Sequence, residues 1–334
     1  MSVRRSESSS KASGRPREPL LPVGFVWHPT FLQHDTGLGH PESPHRLQAI
    51  LQHLKSTGLW ETLRISLAEP ASRDTIELVH PRAYLEALEV SCRQGPMALD
   101  PDTIVSPGSW EAALRAVGAV TQAIDAVIRH EARAVFCAVR PPGHHALMDR
   151  AMGFCLLNNI AIGARYAQTR HHLTRVLIVD WDVHHGNGTQ AIFAEDPTVL
   201  YVSTHQFPFY PGTGSRQECG VGRGVGATVN VPLPVGSGNE AIIEAFQCEL
   251  LPRALAFKPE LVLISAGFDA HRDDPLAGLQ VTEAGYTALT KIVLEITDTC
   301  CPGRLVSVLE GGYDLNALPR SVEAHLRALG VTSS

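Results

Sequence analysis

Several features are scarce or missing in this 334-residue sequence. No apolar run approaches the length that crosses a bilayer, and no stretch after residue 20 gathers enough Lys or Arg to bind a polyanion tightly. The seven cysteines are odd in number and contain no CxxC pair, which indicates reduced thiols in the cytoplasm, or in the nucleus of a eukaryotic cell. We therefore expect no membrane partner and no direct nucleic-acid partner.

Residues 1–20 are rich in Ser, Arg and Pro and have almost no apolar content, which predicts a disordered tail without the apolar core of a secretory signal. The whole chain is 44% hydrophobic and 19% charged, as in ordinary globular proteins. No linker or internal repeat is apparent after the tail. We therefore predict one folded domain over residues 21–330, whose oligomeric state stays open.

Short apolar runs rich in β-branched residues alternate with segments of helical period, which predicts an α/β fold with a mainly parallel sheet. Each run is apolar nearly throughout, so it should be buried on both faces at the centre of the sheet. Covering helices should begin near residues 47, 109, 239 and 282, the first of them ending at Gly58. The predicted strands are 133–139, 175–182, 198–204, 261–267 and 304–309.

Three long linking segments, 140–159, 205–226 and 269–280, are rich in Gly, Pro and His. Each follows a predicted strand. The carboxyl ends of parallel strands point the same way, so loops that follow different strands can converge on one crevice. We expect the chemistry of this protein in that crevice.

The segment DWDVHHG begins at Asp180 and ends a predicted strand. Side chains alternate along a strand, so Asp180, Asp182 and His184 should project from the same side. Carboxylates so close together repel each other in a buried site unless a cation neutralises them. Asp with His is a normal ligand set for zinc. Asp269, just past another apolar run, is the candidate third ligand. A hydrogen-bonded polar cluster is the alternative for the first segment, and a turn or helix cap for the second.

Two further motifs follow predicted strands. In RPPGHH, the prolines and glycine form a stiff turn that orients His144 and His145, although surface histidines also occur as such pairs. In EGGY, the paired glycines allow close backbone approach, and the Tyr313 hydroxyl could reach an oxyanion beside the metal. A turn with an anchoring aromatic is the alternative for the second motif. Their shared position at strand ends favours a single site.

These motifs, taken together, resemble those of the histone deacetylase and acetylpolyamine amidohydrolase superfamily, on the class II side. The resemblance runs from residue 25 to about residue 328. The matching segments are HPESP at 40–44, RPPGHHA at 140–146, GFC at 153–155 with Asn158 and Asn159, DWDVHHGNGTQ at 180–190, PGTG at 211–214, SAGFDAH at 265–271 and EGGYD at 310–314.

The resemblance implies a single-domain arginase/deacetylase-like fold: a mainly parallel eight-stranded sheet with helices on both faces. It implies one catalytic Zn²⁺ on the three ligands chosen above. The paired histidines would handle protons, with Asp180 behind His144 and Asn187 behind His145, since such partners fix tautomer and basicity. Tyr313 matches the tyrosine that donates to the substrate carbonyl oxygen.

The resemblance also implies a narrow tunnel for an acyl-lysine side chain. Phe154 would form one wall, with Tyr210 opposite in preference to Phe209. Leu276 stands where a polyamine-selective relative carries glutamate, which favours an uncharged substrate chain. The residues expected to contact substrate are Gly153, Phe154, Tyr210, Leu276 and, as a candidate at the rim, Asp100.

Structural K⁺ ions are a further implication of the resemblance. One would lie beneath the zinc site and involve Asp180, Asp182, His184 and Ser203. A second would lie near Phe193 and Val199, held mostly by backbone oxygens.

The expected activity is zinc-dependent hydrolysis of an acyl amide, with an acetylated lysine peptide or protein as substrate. An acetylpolyamine amidohydrolase, which acts on a small acylated amine, is the alternative within the same chemistry. An arginase-like enzyme with two manganese ions would leave the HH turn and the GGY tyrosine unexplained. A catalytically weak acyl-lysine-binding scaffold is the alternative of another class, and the proton-handling residues argue against it.

Overall fold

The computed structural model describes residues 21–332. The tail predicted for residues 1–20 lies outside this range, and the domain limits 21–330 stay a prediction. The strands are β1 (Val23–Trp27), β2 (Arg64–Leu67), β3 (Met97–Asp100), β4 (Thr103–Val105), β5 (Ala134–Cys137), β6 (Val176–Asp180), β7 (Val199–Gln206), β8 (Thr228–Leu233), β9 (Leu261–Ala266) and β10 (Leu305–Leu309).

Eight of these strands form one sheet in the order β2-β1-β5-β10-β9-β6-β7-β8, and every neighbouring pair is parallel. The five predicted strands are confirmed and lie side by side at its centre. The strands β1, β2 and β8, which were not predicted from the sequence, lie toward the two edges. β2 is partly exposed along its length and β8 contains Asn230 and Pro232, so neither has the continuous apolar run of a central strand. β3 and β4 form a separate antiparallel pair.

All four predicted helix starts are confirmed, and Gly58 follows the first helix with φ +70°. The α-helices are α1 (His45–Ser56), α2 (Arg73–Ile76), α3 (Arg82–Gln94), α4 (Ser109–Ile128), α5 (Asn159–His171), α6 (Asn187–Phe193), α7 (Asn239–Ala245), α8 (Leu251–Phe257), α9 (Glu283–Cys300) and α10 (Ala317–Ala328). Short 3₁₀ turns lie at Pro29–Gln33, Trp60–Thr62 and Gly222–Gly224, and a π-helical turn at Phe246–Leu250 joins α7 to α8.

Helices cover both faces of the sheet, as the alternation along β5 shows. The Cys137 thiol donates to the Ala119 carbonyl of α4, whereas the neighbouring Phe136 ring lies 5.8 Å from the His325 ring of α10. Adjacent residues of a strand point to opposite faces, so α4 and α10 lie on opposite sides. Among the described residues, no helix is both long enough and apolar enough to cross a membrane.

His325 is a histidine buried inside the apolar layer between α10 and the sheet. Thr290 of α9 donates its hydroxyl proton to the Tyr286 carbonyl, so it can only accept from His325 Nδ1, at 2.7 Å. The other ring nitrogen, Nε2, then accepts from the Ser307 hydroxyl of β10 at 2.9 Å. A neutral imidazole therefore ties two helices to the sheet, and its burial lowers the pKa of His325 to about 3.

We predict that His325→Gln reduces the loss of stability in acid. An unfolded histidine takes up a proton near pH 6.5 but folded His325 does not, so its contribution to stability is complete above pH 6.5 and falls as the pH drops toward 3. The amide can replace both hydrogen bonds but cannot titrate. Urea unfolding at pH 7, 6 and 5 should show that wild type loses more stability than the variant, by about 0.7 kcal/mol between pH 7 and 6 and about 1.2 kcal/mol between pH 6 and 5. Parallel losses would contradict the assignment.

Candidate active site

The site lies where loops leave four neighbouring central strands, β5, β10, β9 and β6, at their carboxyl ends. These loops carry the HH pair, the GGY tyrosine, Asp269 and the DWDVHHG segment. Parallel strands bring these loops to the same edge of the sheet, although the loops are far apart in the chain. The predicted convergence is therefore what the structure shows.

Asp182, His184 and Asp269 form a buried cluster whose ligand atoms all lie within 4.8 Å of one another. His184 Nδ1 is 3.1 Å from Asp182 Oδ1 and 3.1 Å from Asp269 Oδ2. Tetrahedral zinc ligands, at metal distances of about 2.0–2.1 Å, lie roughly 3.3 Å from one another. The three residues therefore have the chemistry of a zinc ligand set, and both distances from His184 are close to the spacing of zinc ligands. Without a metal, the single proton on His184 Nδ1 could serve only one of the two carboxylates.

Backbone amides donate hydrogen bonds to both carboxylates of the cluster. The Gly311 amide donates to Asp182 Oδ2 at 2.8 Å, and the Val183 amide donates to Asp269 Oδ1 at 2.9 Å. A Cβ atom on Gly311 would lie 2.0 Å from Asp269 Oδ2, and one on Gly267 would lie 2.1 Å from Asp182 Oδ2. Glycine is therefore required at both positions for the carboxylates to fit.

The electrostatics of the cluster also favour a cation. Burial and the adjacent charge of Asp182 raise the pKa of Asp269 to about 7. Although burial opposes ionisation of Asp182, the positive charges of His144 and His184 lower its pKa below the usual range. Two carboxylates so close in a buried site repel each other, and a bound cation would stabilise both charged forms.

The histidine pair stands beside this cluster with the predicted partners. His144 Nδ1 is 3.1 Å from Asp180 Oδ2, His145 Nδ1 is 2.8 Å from Asn187 Oδ1, and the two ring centroids are 4.0 Å apart. Asn187 Nδ2 donates to Met152 Sδ at 3.4 Å, which leaves its oxygen for His145. The proton of neutral His145 is therefore on Nδ1, and its Nε2 is a free acceptor.

The two imidazoles differ in their affinity for protons. Burial disfavours the charge on His144, but Asp182 and Asp180 outweigh that effect and raise its pKa to about 10. Burial, together with the positive charges of His144 and His184, lowers the pKa of His145 well below its usual value. A protonated acid beside a neutral base is the pairing that proton transfer in both directions requires.

A cavity of about 210 Å³ opens onto the cluster. Four of the five residues predicted to contact substrate line it, together with both candidate aromatics for the second wall. The Phe209 ring stacks on His184 at 5.5 Å, whereas Tyr210 meets His145 edge-on at 5.2 Å, so the two aromatics share the wall. The lining residues are Asp102, His145, Gly153, Phe154, His184, Phe209, Tyr210, Leu276 and Tyr313.

The first wall has a strained backbone. Gly153 and Phe154 have φ values of +56° and +68°, the left-handed region that phenylalanine rarely adopts. A Cβ atom on Gly153 would lie 2.4 Å from His145 Cδ2. The Phe154 ring packs edge-on against His40 at 4.8 Å and Tyr313 at 5.8 Å. The strained turn thus places Phe154 in the cavity wall beside Tyr313.

Asp100 is not among the lining residues, and Asp102 takes its place. Asp100 Oδ1 instead accepts the Asp102 amide at 3.4 Å, within the turn between β3 and β4. The Thr103 hydroxyl donates to Asp102 Oδ1 at 2.9 Å. Asp100 stays a prediction for the rim, and Asp102 is added as a second candidate because it lines the cavity.

Tyr313 is positioned by residues that sequence analysis did not identify. Asp274 Oδ2 accepts the Tyr313 amide at 2.7 Å, and the Arg46 guanidinium lies 4.9 Å from the phenol ring while donating to the Gly312 carbonyl at 2.6 Å. Arg46 is fully buried and also pairs with Glu42. An arginine at the start of a helix carries no signal in a single sequence that would predict this role.

Glu310 is a second buried support that was not predicted. Its Oε2 accepts the amides of Gly143 and His144, at 2.6 and 3.2 Å, and its Oε1 accepts the Ser265 hydroxyl at 3.1 Å. This carboxylate therefore ties the HH turn to the ends of β10 and β9. Burial raises the pKa of Glu310 to about 7.

The two K⁺ sites stay a prediction, and the structure describes the surroundings of their candidate residues. Asp180 and Ser203 are register partners on β6 and β7, and Ser203 is fully buried with its hydroxyl 2.8 Å from His205 Nδ1. Phe193 ends α6 and Val199 begins β7, and both are buried. The first group includes two of the zinc candidates.

Comparison with known proteins gives a consistent result. The sequence profile named "Histone deacetylase domain" matches residues 40–329. A "Probable deacetylase" of Archaeoglobus fulgidus is 42% identical over 300 residues, which cover 89% of this chain and 83% of that protein. A "Histone deacetylase-like amidohydrolase" of Pseudomonas aeruginosa is 40% identical over 307 residues, which cover 91% of this chain and 79% of that protein.

Among solved structures, the crystal structure of the HDA15 HD domain superposes with a TM-score of 0.88 at 37% identity, covering 94% of this chain and 91% of the other. The profile and the relatives span most of the chain, and the fold agrees with that of the solved domain. The predicted arginase/deacetylase-like α/β fold is therefore confirmed, and the chain belongs to the histone deacetylase family.

Proposed function

We propose that this protein is a zinc-dependent hydrolase that removes an acyl group, in the first place acetyl, from the side-chain nitrogen of lysine. The family supports deacetylase activity of the hydrolase class, and the metal and the substrate are our inference. The observation that carries the proposal is the buried Asp182, His184 and Asp269 cluster, in contact with a cavity that His145 and Tyr313 also line.

The chemistry of the cluster selects the metal. One imidazole and two carboxylates form an open three-residue set, the arrangement that catalytic zinc sites use. When bound, Zn²⁺ supplies a Lewis acid that polarises the amide carbonyl and acidifies water. Structural K⁺ at the two places described above also belongs to this proposal.

The protein's own residues would move the protons. His145 Nε2 lines the cavity as a free acceptor and would take the proton of the attacking water, while Asn187 holds its Nδ1 proton. The Tyr313 hydroxyl would donate to the oxygen of the tetrahedral intermediate. His145 would then pass this proton to the leaving amine, while Asp180 compensates the positive charge of the neighbouring His144.

The cavity wall favours an uncharged substrate chain. Phe154, Phe209, Tyr210 and Leu276 present apolar surface, which suits the methylenes of an acyl-lysine. Asp102 is the single carboxylate among the residues that line the cavity. Its position would let it accept a backbone amide of a peptide substrate, and it is also the feature that keeps acetylpolyamines as the second candidate substrate.

Tyr313→Phe should lower kcat on an acetyl-lysine peptide by about 10²- to 10³-fold, because loss of one oxyanion donor typically costs that much. Tyr166→Phe is the matched control, since the Tyr166 hydroxyl bonds Asp125 on the surface of α5 and α4. Steady-state kinetics of both variants tests the role. Full turnover by Tyr313→Phe would show that the hydroxyl does not act on the intermediate.

Asp182→Ala and Asp269→Ala should each abolish stoichiometric zinc, because each removes one of three ligands. Elemental analysis of the purified proteins measures the loss directly. Asp298→Ala, an exposed carboxylate on α9, should retain one zinc per chain. If both cluster variants kept their zinc, the ligand set would be wrong whatever their activity.

Leu276→Glu should shift preference toward acetylated polyamines. A carboxylate at this lining position would attract a cationic chain and disfavour an uncharged one. The ratio of kcat/KM for acetylspermidine to that for an acetyl-lysine peptide should rise about tenfold, the effect of one modest charge interaction of about 1.4 kcal/mol. Wild-type preference for acetylspermidine would instead make the polyamine the better assigned substrate.

A further inference from the structure

Tyr201 lies directly behind the Asp180–His144 pair. It belongs to β7, is fully buried, and donates its hydroxyl proton to Asp180 Oδ2 at 2.9 Å. The same oxygen faces His144 Nδ1 at 3.1 Å, while Asp180 Oδ1 accepts the Asp182 amide at 3.2 Å. Two side-chain donors therefore share one carboxylate oxygen, and a backbone amide holds the other.

The local backbone is shaped to admit this hydroxyl. A Cβ atom on Gly186 would lie 2.5 Å from the Tyr201 oxygen and 2.2 Å from Asp180 Oδ2. The Gly186 carbonyl is a weaker second acceptor, 3.2 Å from the same hydroxyl. Only glycine therefore leaves room for the phenol to reach the carboxylate. Among the described residues, Tyr201 provides the one side-chain hydroxyl that donates to Asp180.

A shared oxygen couples its two donors. The Tyr201 proton withdraws negative charge from Asp180 Oδ2, so it weakens the pull of that oxygen on the His144 proton, and it also blocks rotation of the carboxylate. Both effects bear on His144, whose ring centroid lies 4.0 Å from that of His145 beside the cluster. The hydroxyl therefore acts on the histidine pair without touching substrate.

We propose that Tyr201 is a positioning residue that fixes the Asp180 carboxylate against His144 and sets the strength of their hydrogen bond. The inference rests on the proposed function and extends its proton-handling pair to a three-residue chain, Tyr201–Asp180–His144. Nothing in the motifs that define the family resemblance includes this tyrosine.

The test compares Tyr201→Phe with Tyr286→Phe. Both tyrosines are fully buried, but among the described residues the Tyr286 hydroxyl makes no side-chain hydrogen bond. Tyr201→Phe should lower kcat on an acetyl-lysine peptide roughly tenfold, the low end for loss of an outer partner of a metal site, with KM and zinc content unchanged. Tyr286→Phe should leave kcat, KM and zinc content at wild-type values.

A second readout does not depend on turnover. In ¹H NMR of ¹⁵N-histidine-labelled protein, the His144 Nδ1–H resonance, assigned by its loss in His144→Gln, should move further downfield in Tyr201→Phe, because Asp180 becomes the stronger acceptor. It should not move in Tyr286→Phe. An unmoved resonance, or a Tyr201→Phe enzyme with wild-type kcat, would overturn the inference while leaving the proposed function intact.

Two other outcomes separate the proposals. If wild type fails to hydrolyse acetyl-lysine peptides, the proposed function fails, and the NMR shift alone decides the role of Tyr201. If Tyr201→Phe does not fold although Tyr286→Phe does, the inference is overturned, because the hydroxyl would then serve stability of the core rather than the orientation of Asp180.

Discussion

The packing of negative charge at one edge of the sheet is the constraint on which the rest of the site depends. Asp180, Asp182, Asp269 and Glu310 are all at most 1% exposed at the carboxyl ends of three adjacent strands. A buried carboxylate is tolerated only when donors or cations compensate its charge. Each of these four carboxylates accepts defined hydrogen bonds, and two of them, Asp182 and Asp269, also face His184.

The loops around the site are shaped to supply those donors. Backbone amides of Gly311, Val183 and Gly143 point at carboxylate oxygens, which is possible because glycines allow the chain to approach closely. Farther from the cluster, Glu42 bridges Arg46 and Arg140, whose positive charges lower the pKa of Glu42 to about 2 although its burial opposes ionisation. Arg46 thereby connects the start of α1 to the GGY loop.

Much of this could be predicted from the sequence because its signals are local. Continuous apolar runs identified the five central strands, since a strand buried on both faces is apolar along most of its length. The strand ends then identified Asp182, His184 and Asp269 as neighbours. The edge strands β2 and β8, with exposed or interrupted patterns, left no such signal. Asp102 was not among the predicted residues, because the conformation of the turn between β3 and β4 leaves no signal in the sequence.

By itself, the sequence determined the fold class, the identity of the residues at the strand ends and the motifs that resemble the deacetylase family, because periodicity and strand polarity are properties of short segments. Only the tertiary structure decided which donors satisfy each buried group: Arg46 beside Tyr313, Met152 against Asn187, and Tyr201 behind Asp180. These contacts join residues from different elements, and a hydrogen bond depends on distance and direction in space rather than on spacing along the chain.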